Sequence, residues 1–368
     1  MGRRGWIIVA AAIAAATCPL PHVEAALFSL DTVLVGHAGN APDPLTGLGT
    51  VSYQYHIGAT EVTNAQYAAF LNAVDPGGSN PHDVYNPNMT NATGFAVVKG
   101  GIDYIPAAAD GSKYAAKPNY GDKPVNYVTF NDAARFANWV MTGDTENGFY
   151  TFSDTHTITS QGIHGPDQHS SMNWVAIPTE QEWYKAAYHA NDGPTGNYFQ
   201  YPTKSNTAPT VATATPTGNI ANPGRNIANY NFGANWDGTG NLGHVTTVGS
   251  AGPESASPYG TFDQGGNVYE WTETPSGTNR VIRGGSLWLD EESLRSTSGS
   301  VHNPLTQGSS IGFRLSSLGP ISAVPLPATM WLFGSGVAGL AIFRHRPFRK
   351  RDHPVSAERP AASSDASP

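Results

Sequence analysis

A chain of 368 residues is long enough for one large domain or two ordinary ones. Charged residues make up only 13% while Gly (41) and Pro (28) are abundant, which suits a loop-rich globular body and argues against a helical bundle. With 8 Trp, 16 Tyr and 14 Phe the composition is not that of a disordered chain, and a formal charge of −8 argues against nucleic acid and anionic membrane surfaces as partners.

The first 25 residues read as a secretory signal peptide. Arg3 and Arg4 form a basic start, Trp6 to Ala16 an apolar stretch, and Val23-Glu24-Ala25 a cleavage site. Cys18 leaves a lipoprotein reading open, although Ala15-Ala16-Thr17 before it is a poor match for one. Cleavage after Ala25 removes the only cysteine, so the exported protein must hold itself by core burial without disulfides.

Residues 26–50 read as a strand and loop, and Tyr53, Tyr55 and Ile57 then alternate as a half-buried strand should. Three helix starts follow, each with a hydroxyl at the N-cap and an acceptor three residues on: Thr63 with Gln66, Thr129 with Asp132, Thr179 with Glu182. Behind the caps lie apolar stripes: Tyr67, Phe70, Leu71 and Val74; Phe136, Ala137 and Val140; Trp183, Ala186 and Ala187. Residues 75–122 and 141–174 read as insertions, the second as a hairpin excursion, and 202–222 as a surface loop. From Asn229 to Leu315 turn residues separate short apolar pairs.

Six short motifs occur in order. They are Glu61-Val62-Thr63-Asn64 with Gln66-Tyr67 and Phe70; Pro124-Val125 with Trp139; Ile177-Pro178-Thr179-Glu180 with Glu182-Trp183; Gly266-Asn267-Val268-Tyr269-Glu270-Trp271; Arg283-Gly284-Gly285-Ser286; and Gly312-Phe313-Arg314-Leu315. This order resembles the formylglycine-generating enzyme (sulfatase-modifying factor) family. The resemblance implies an α+β fold over residues 51–318, distantly like C-type lectin domains, with little regular secondary structure.

It also implies calcium. Carried over residue by residue, Asp263 and Glu270 would give side-chain oxygens and Gly266 and Val268 carbonyls to one ion, mixed oxygen ligands of the kind calcium takes. A second site would use Asn229 and Tyr230, with a partner near Asn241 and Gly243, where an amide replaces the expected carboxylate. The alternative at the first site is a glycine turn with two solvated acids. Arg283 and Arg314 are expected to form buried ion pairs that mark the fold.

The family's oxidative chemistry needs two cysteines, and their positions fall at Leu289 and Leu294. Leucine neither binds copper(I) nor forms a mixed disulfide, so no catalytic residue is assigned and copper is not expected. The acids Asp290, Glu291 and Glu292 and the scattered histidines, including His164, His169 and His302, leave iron and a metal-dependent oxidase of the same family as the rival reading.

At the C-terminus Val324-Pro325-Leu326-Pro327 precedes an apolar run over 328–343 and a basic cluster from Arg344 to Arg351. Sixteen residues fall short of the roughly 20 that span hydrocarbon comfortably, but Trp331 and the basic flank extend the run as a transmembrane segment. The unit over 319–351 resembles the PEP-CTERM sorting signal read by an exosortase-type protease at the inner membrane; Leu326 stands where the namesake has Glu. Residues 352–368 read as a disordered tail, a departure from signals that stop near the arginines. The expected whole is an exported, calcium-stabilised binding module, non-catalytic or divergent, at the envelope or in exopolysaccharide or on a surface protein.

Overall fold

The computed structural model describes residues 27–28, 30–90, 100–166, 173–238, 241–321 and 324–325. The expected leader, the 328–343 span, the 352–368 tail, His169, Leu326 and Pro327 lie outside these residues.

Three helices form where the capping signals place them: α1 over Asn64–Val74, α2 over Phe130–Thr142 and α3 over Glu180–Tyr188. Each N-cap threonine accepts the backbone N–H three residues on, and the side chain there accepts the N-cap N–H in return, so two orphan donors are satisfied at each start. Helix α2 stops at Gly143, whose φ of 80° is the left-handed cap that glycine allows. Almost all of α2 is buried, because it is covered on several sides rather than on one face.

Two four-stranded sheets flank the helices. In one, the spatial order is Thr32–Val35, Tyr55–Gly58, Ser316–Ser317, Val175–Ala176, and all neighbours are antiparallel. In the other the order is Ser300–His302, Asn279–Arg283, Tyr269–Ser276, Ile311–Gly312, with the last pair parallel. Segments far apart in sequence are therefore stitched together at the centre, and the strands stay short because turns dominate the text between them. The backbone of Val324–Pro325 pairs antiparallel with Leu27–Phe28.

The core is aromatic. Tyr67 and Phe70 of α1 meet Phe136 and Trp139 of α2 and Phe313, with ring centroids 5.2–6.4 Å apart. Tilted and edge-on contacts at such distances add to the burial of large apolar faces, which carries stability in a body without disulfides.

Both insertions carry hairpins: Ile102–Tyr104 with Tyr114–Ala116, and Tyr150–Phe152 with Ile158–Gln161. The expected surface loop over 202–222 needs correction. Thr210–Val211 pairs in parallel with Ile227–Ala228, and Ala212 and Ile220 are buried against Ile227 and Ala251. Its Thr/Ala/Pro composition hid those contacts because two-residue strands leave no period to read. Among the described residues no helix is long and apolar enough to cross a membrane.

Candidate functional site

The segment from Asp263 to Arg314 is organised around one buried ion pair. Arg314 donates from Nε to Glu270 Oε2 at 2.6 Å and from Nη2 to Oε1 at 2.7 Å, a two-point contact with both side chains fully buried. Its remaining donors reach the carbonyls of Gly58 (2.9 Å) and Phe262 (2.8 Å), and Trp183 of α3 donates its indole N–H to Glu270 Oε2 at 2.8 Å. Burial opposes the Arg314 charge, and Glu270 beside it more than restores it, raising the pKa. One guanidinium thus ties together the Tyr55–Gly58 strand end, the 262–270 turn and, through Glu270, α3.

Arg283 makes a second anchor. It donates from Nε and Nη2 to Glu180 Oε1 at 2.8 and 2.5 Å and from Nη1 to the carbonyls of Ser296 and Ser298. It therefore fixes the loop that carries residues 289–296 against the start of α3.

The cation sites implied by resemblance fare unevenly. Glu270 is not a free ligand: both carboxylate oxygens are taken by Arg314, and a cation placed there would face a guanidinium. Asp263 Oδ2 accepts the Gly249 N–H at 2.6 Å, and burial pushes its carboxyl up to about 6. Gly266 has φ of 85°, and a Cβ there would meet the Asn229 carbonyl oxygen at 2.2 Å; its glycine is required for close approach of two backbones, with Asn267 N–H bonded to the same carbonyl. Val268 is buried against Val245 and Leu287.

At the second site Asn229 is buried, donates to the His244 carbonyl at 2.8 Å, and has Oδ1 without a partner. The Tyr230 carbonyl already accepts Gly233 N–H. Gly243 is buried and bonded through its N–H to Asn235, while Asn241 is exposed. Among the described residues no three His, Cys, Asp or Glu side chains gather in a way that would hold a metal ion. The buried polar atoms left without partners include Asn229 Oδ1 and Glu61 Oε2, and burial together with the Asp263 charge drives the Glu61 carboxyl well above its ordinary range.

The two leucines lie in different settings. Leu294 is fully buried against Tyr201, Ala228 and Tyr230, and its carbonyl accepts the Tyr188 hydroxyl at 3.0 Å. Leu289 is half-buried, and its carbonyl accepts the Asn231 N–H. The space that a reactive side chain would need at 294 is filled by core.

The sequence offered His164 only among the scattered histidines, and it gave no sign of a second feature, a cavity. His164 sits between two buried carboxylates, with Nδ1 3.0 Å from Glu182 and Nε2 3.1 Å from Glu273. Burial alone would lower its pKa; the two carboxylates outweigh it and hold the ring protonated up to about 10. A cavity of about 580 Å³ opens beside Ser296, lined by Asp192, Asn197, Tyr198, Phe199, Gln200 and Asn206 among others. Neither has a motif: the His164 cluster joins a loop, helix α3 and the Tyr269–Ser276 strand across long sequence separations, and the cavity is lined from segments with no shared period.

With this geometry in view, the matches to known proteins fall into place. Residues 39–317 match the sulfatase-modifying factor enzyme 1-like domain, and residues 323–346 match the PEP-CTERM protein-sorting motif. The chain belongs to the sulfatase-modifying factor family. It is an α+β member carrying an export-and-sorting signal of the kind processed by an exosortase-type system. No curated protein matches it. Among solved structures it is similar to the crystal structure of CarF (20% identity, 80% of this chain and 100% of that chain, TM-score 0.48). It is also similar to variable protein 1 of Treponema denticola (17%, 78% and 95%, TM-score 0.44). A third likeness is to PvdO from Pseudomonas aeruginosa (17%, 78% and 94%, TM-score 0.41).

Proposed function

We propose that this family member is a non-redox binding module delivered to the cell envelope, with exopolysaccharide as the class of ligand. The observation that carries the reading is Leu294. The position implied for a reactive cysteine is occupied by a fully buried leucine packed on two tyrosines. A thiolate's roles as nucleophile and as soft-metal ligand are both gone, so oxidation of a substrate cysteine has no residue to begin it. The buried arginine anchors and the capping boxes remain, so the fold is kept while that chemistry is withdrawn.

The sorting motif supports envelope delivery, and a body with 12 Lys+Arg against 24 Asp+Glu over residues 26–343 does not favour polyanions. Calcium is not part of this reading. With Glu270 paired to Arg314, the free donors that remain near the two expected sites are Asn229 Oδ1 and Glu61 Oε2, too few for six to eight oxygen ligands without backbone and water.

The test is metal content and redox turnover of the full-length protein purified without chelator. We expect neither copper nor iron at stoichiometric level, no oxidation of a cysteine-containing peptide, and a melting temperature that EDTA leaves unchanged. Stoichiometric iron or copper would sink the non-redox reading in favour of a metal-dependent oxidase. A fall of several degrees in EDTA would restore the calcium site.

A further inference from the structure

We infer that the cavity beside Ser296 binds a neutral saccharide segment. This inference rests on the binding-module reading and names its site. The volume of about 580 Å³ falls within the usual range of small-molecule sites, roughly 300–1,000 Å³. Its wall combines an aromatic surface with polar groups whose orientation the surrounding bonds decide.

The aromatic part is the Tyr198-Phe199 pair. Tyr198 is held from behind: its hydroxyl bonds with the Gly49 carbonyl (3.0 Å) and Asn40 (2.7 Å), and its ring packs on Tyr184 and His189 at 5.7 and 5.0 Å. Phe199 is half-buried, and its N–H is fixed to the Tyr188 carbonyl at 2.8 Å. A ring on a pinned backbone offers an apolar face at little cost in conformational freedom.

The polar part comes from three amides. Arg295 donates to Gln200 Oε1 at 2.8 Å, so the Gln200 NH₂ is the end left for a ligand. Asn206 Oδ1 accepts the Gln200 N–H at 3.0 Å, which likewise leaves its NH₂. Asn197 does the reverse: its NH₂ donates to Asp192 Oδ2 at 2.7 Å, leaving a carbonyl oxygen as acceptor. Two amide donors and one acceptor match hydroxyl groups, each of which both donates and accepts.

Charge narrows the class. The lining holds Asp43 and Asp192 and no lysine or arginine, so an anion is disfavoured. Both acids are already satisfied. Asp43 is buried and accepts the Tyr184 hydroxyl and the Leu45 N–H, and Asp192 accepts from Thr195 and Asn197. Both acids keep their charge but have their oxygens engaged within the wall, whereas a neutral polyol meets the free amides; the cationic arm of the experiment separates the two. The mouth is rimmed by exposed Pro44, Asn197 and Gln200, and an open mouth admits an internal stretch of a chain as well as its end.

The experiment is calorimetric titration of the full-length chain in detergent. The probes are maltohexaose, cellohexaose and mannohexaose as neutral saccharides, an oligogalacturonate as the anion, and a chitosan hexamer as the cation. Binding of at least one neutral hexamer, weakened about tenfold or more in both Phe199→Ala and Gln200→Ala, is the expected result. Gln200 is exposed, so its variant keeps the test valid if Phe199→Ala fails to fold. Binding only to the anionic or cationic oligomer overturns the ligand class. Neutral binding that survives both substitutions overturns the site. Neither of those failures touches the non-redox reading, which stands or falls on metal content and turnover.

Discussion

The starts of α2 and α3 carry the same sequence device and the same local geometry, yet opposite electrostatics. In each, a threonine caps the helix and a carboxylate three residues on closes the box, with N-cap N–H to carboxylate distances of 2.8 Å in both. Asp132 in α2 is pushed up to about 7, chiefly by burial, against the pull of its Thr129 bonds and Arg135. Glu182 in α3 is equally enclosed, but the His164 imidazolium beside it brings its pKa below the usual range. Local sequence therefore sets where a helix begins. Whether its capping carboxylate is comfortable as an anion depends on what the tertiary fold brings to its other oxygen.

Removing the partner that makes the difference should have the largest effect. His164→Ala leaves Glu182 buried without its imidazolium and Glu273 with Arg280 as its remaining positive neighbour, and loss of a buried partner of this kind costs about 3–5 kcal/mol. The hydroxyls of Tyr53 and Tyr150, at 2.8 and 2.6 Å from those carboxylates, soften but do not replace a charge. The pH dependence has a definite sign. A histidine raised from 6.5 to about 10 on folding contributes fully below pH 6.5, and that contribution declines until it is gone above about pH 10. Urea denaturation across pH 6 to 10 should show this decline in the parent protein and not in His164→Ala. Parallel profiles would mean that His164 does not carry the charge assigned to it.

Asp132 predicts a slope of the same sign over a lower window. Its carboxyl, at 3.8 when unfolded and about 7 when folded, holds a proton that the unfolded chain releases, so stability falls as pH rises from about 4 to 7. Asp132→Asn removes the titration and should flatten that part of the profile, at a small fixed cost to the cap. An unchanged slope in the variant would assign the effect to other buried acids, of which Glu61 is the foremost.

These cases show what could be read from the chain and what could not. All three capping boxes were legible because the device is local: a hydroxyl, an acceptor, three residues. The roles of Arg283 and Arg314 as buried anchors were legible from motif order. The pairing of Glu270 was not legible because the sequence shows a carboxylate but not the arginine 44 residues on that closes it. His164 was named only as a candidate metal ligand, and its place between two carboxylates was not legible because its partners lie 18 and 109 residues away. The Thr210–Val211 strand was missed for the reason that two residues make no alternation. The cavity beside Ser296 escaped because its lining residues are turn formers that read as loop.

The α1 start supplies the control for the whole comparison. Its box pairs Thr63 with Gln66, whose Oε1 accepts the Thr63 N–H at 2.9 Å, and neither side chain titrates. Thr63→Ala removes the acceptor for Gln66 N–H and should cost about 1 kcal/mol, within the 0.5–2 typical of caps. That loss should be the same at pH 5 and pH 9, since no proton enters or leaves the cap. Thr179→Ala differs, because the Thr179 hydroxyl also reaches Glu182 Oε2 at 3.2 Å and its removal disturbs the carboxylate that holds His164. Its cost should therefore exceed that of Thr63→Ala at pH 5 and converge on it at alkaline pH, where the His164 charge is gone. Equal and pH-independent losses at the two positions would show that cap and buried ion pair act separately, and that α3 begins on local geometry alone.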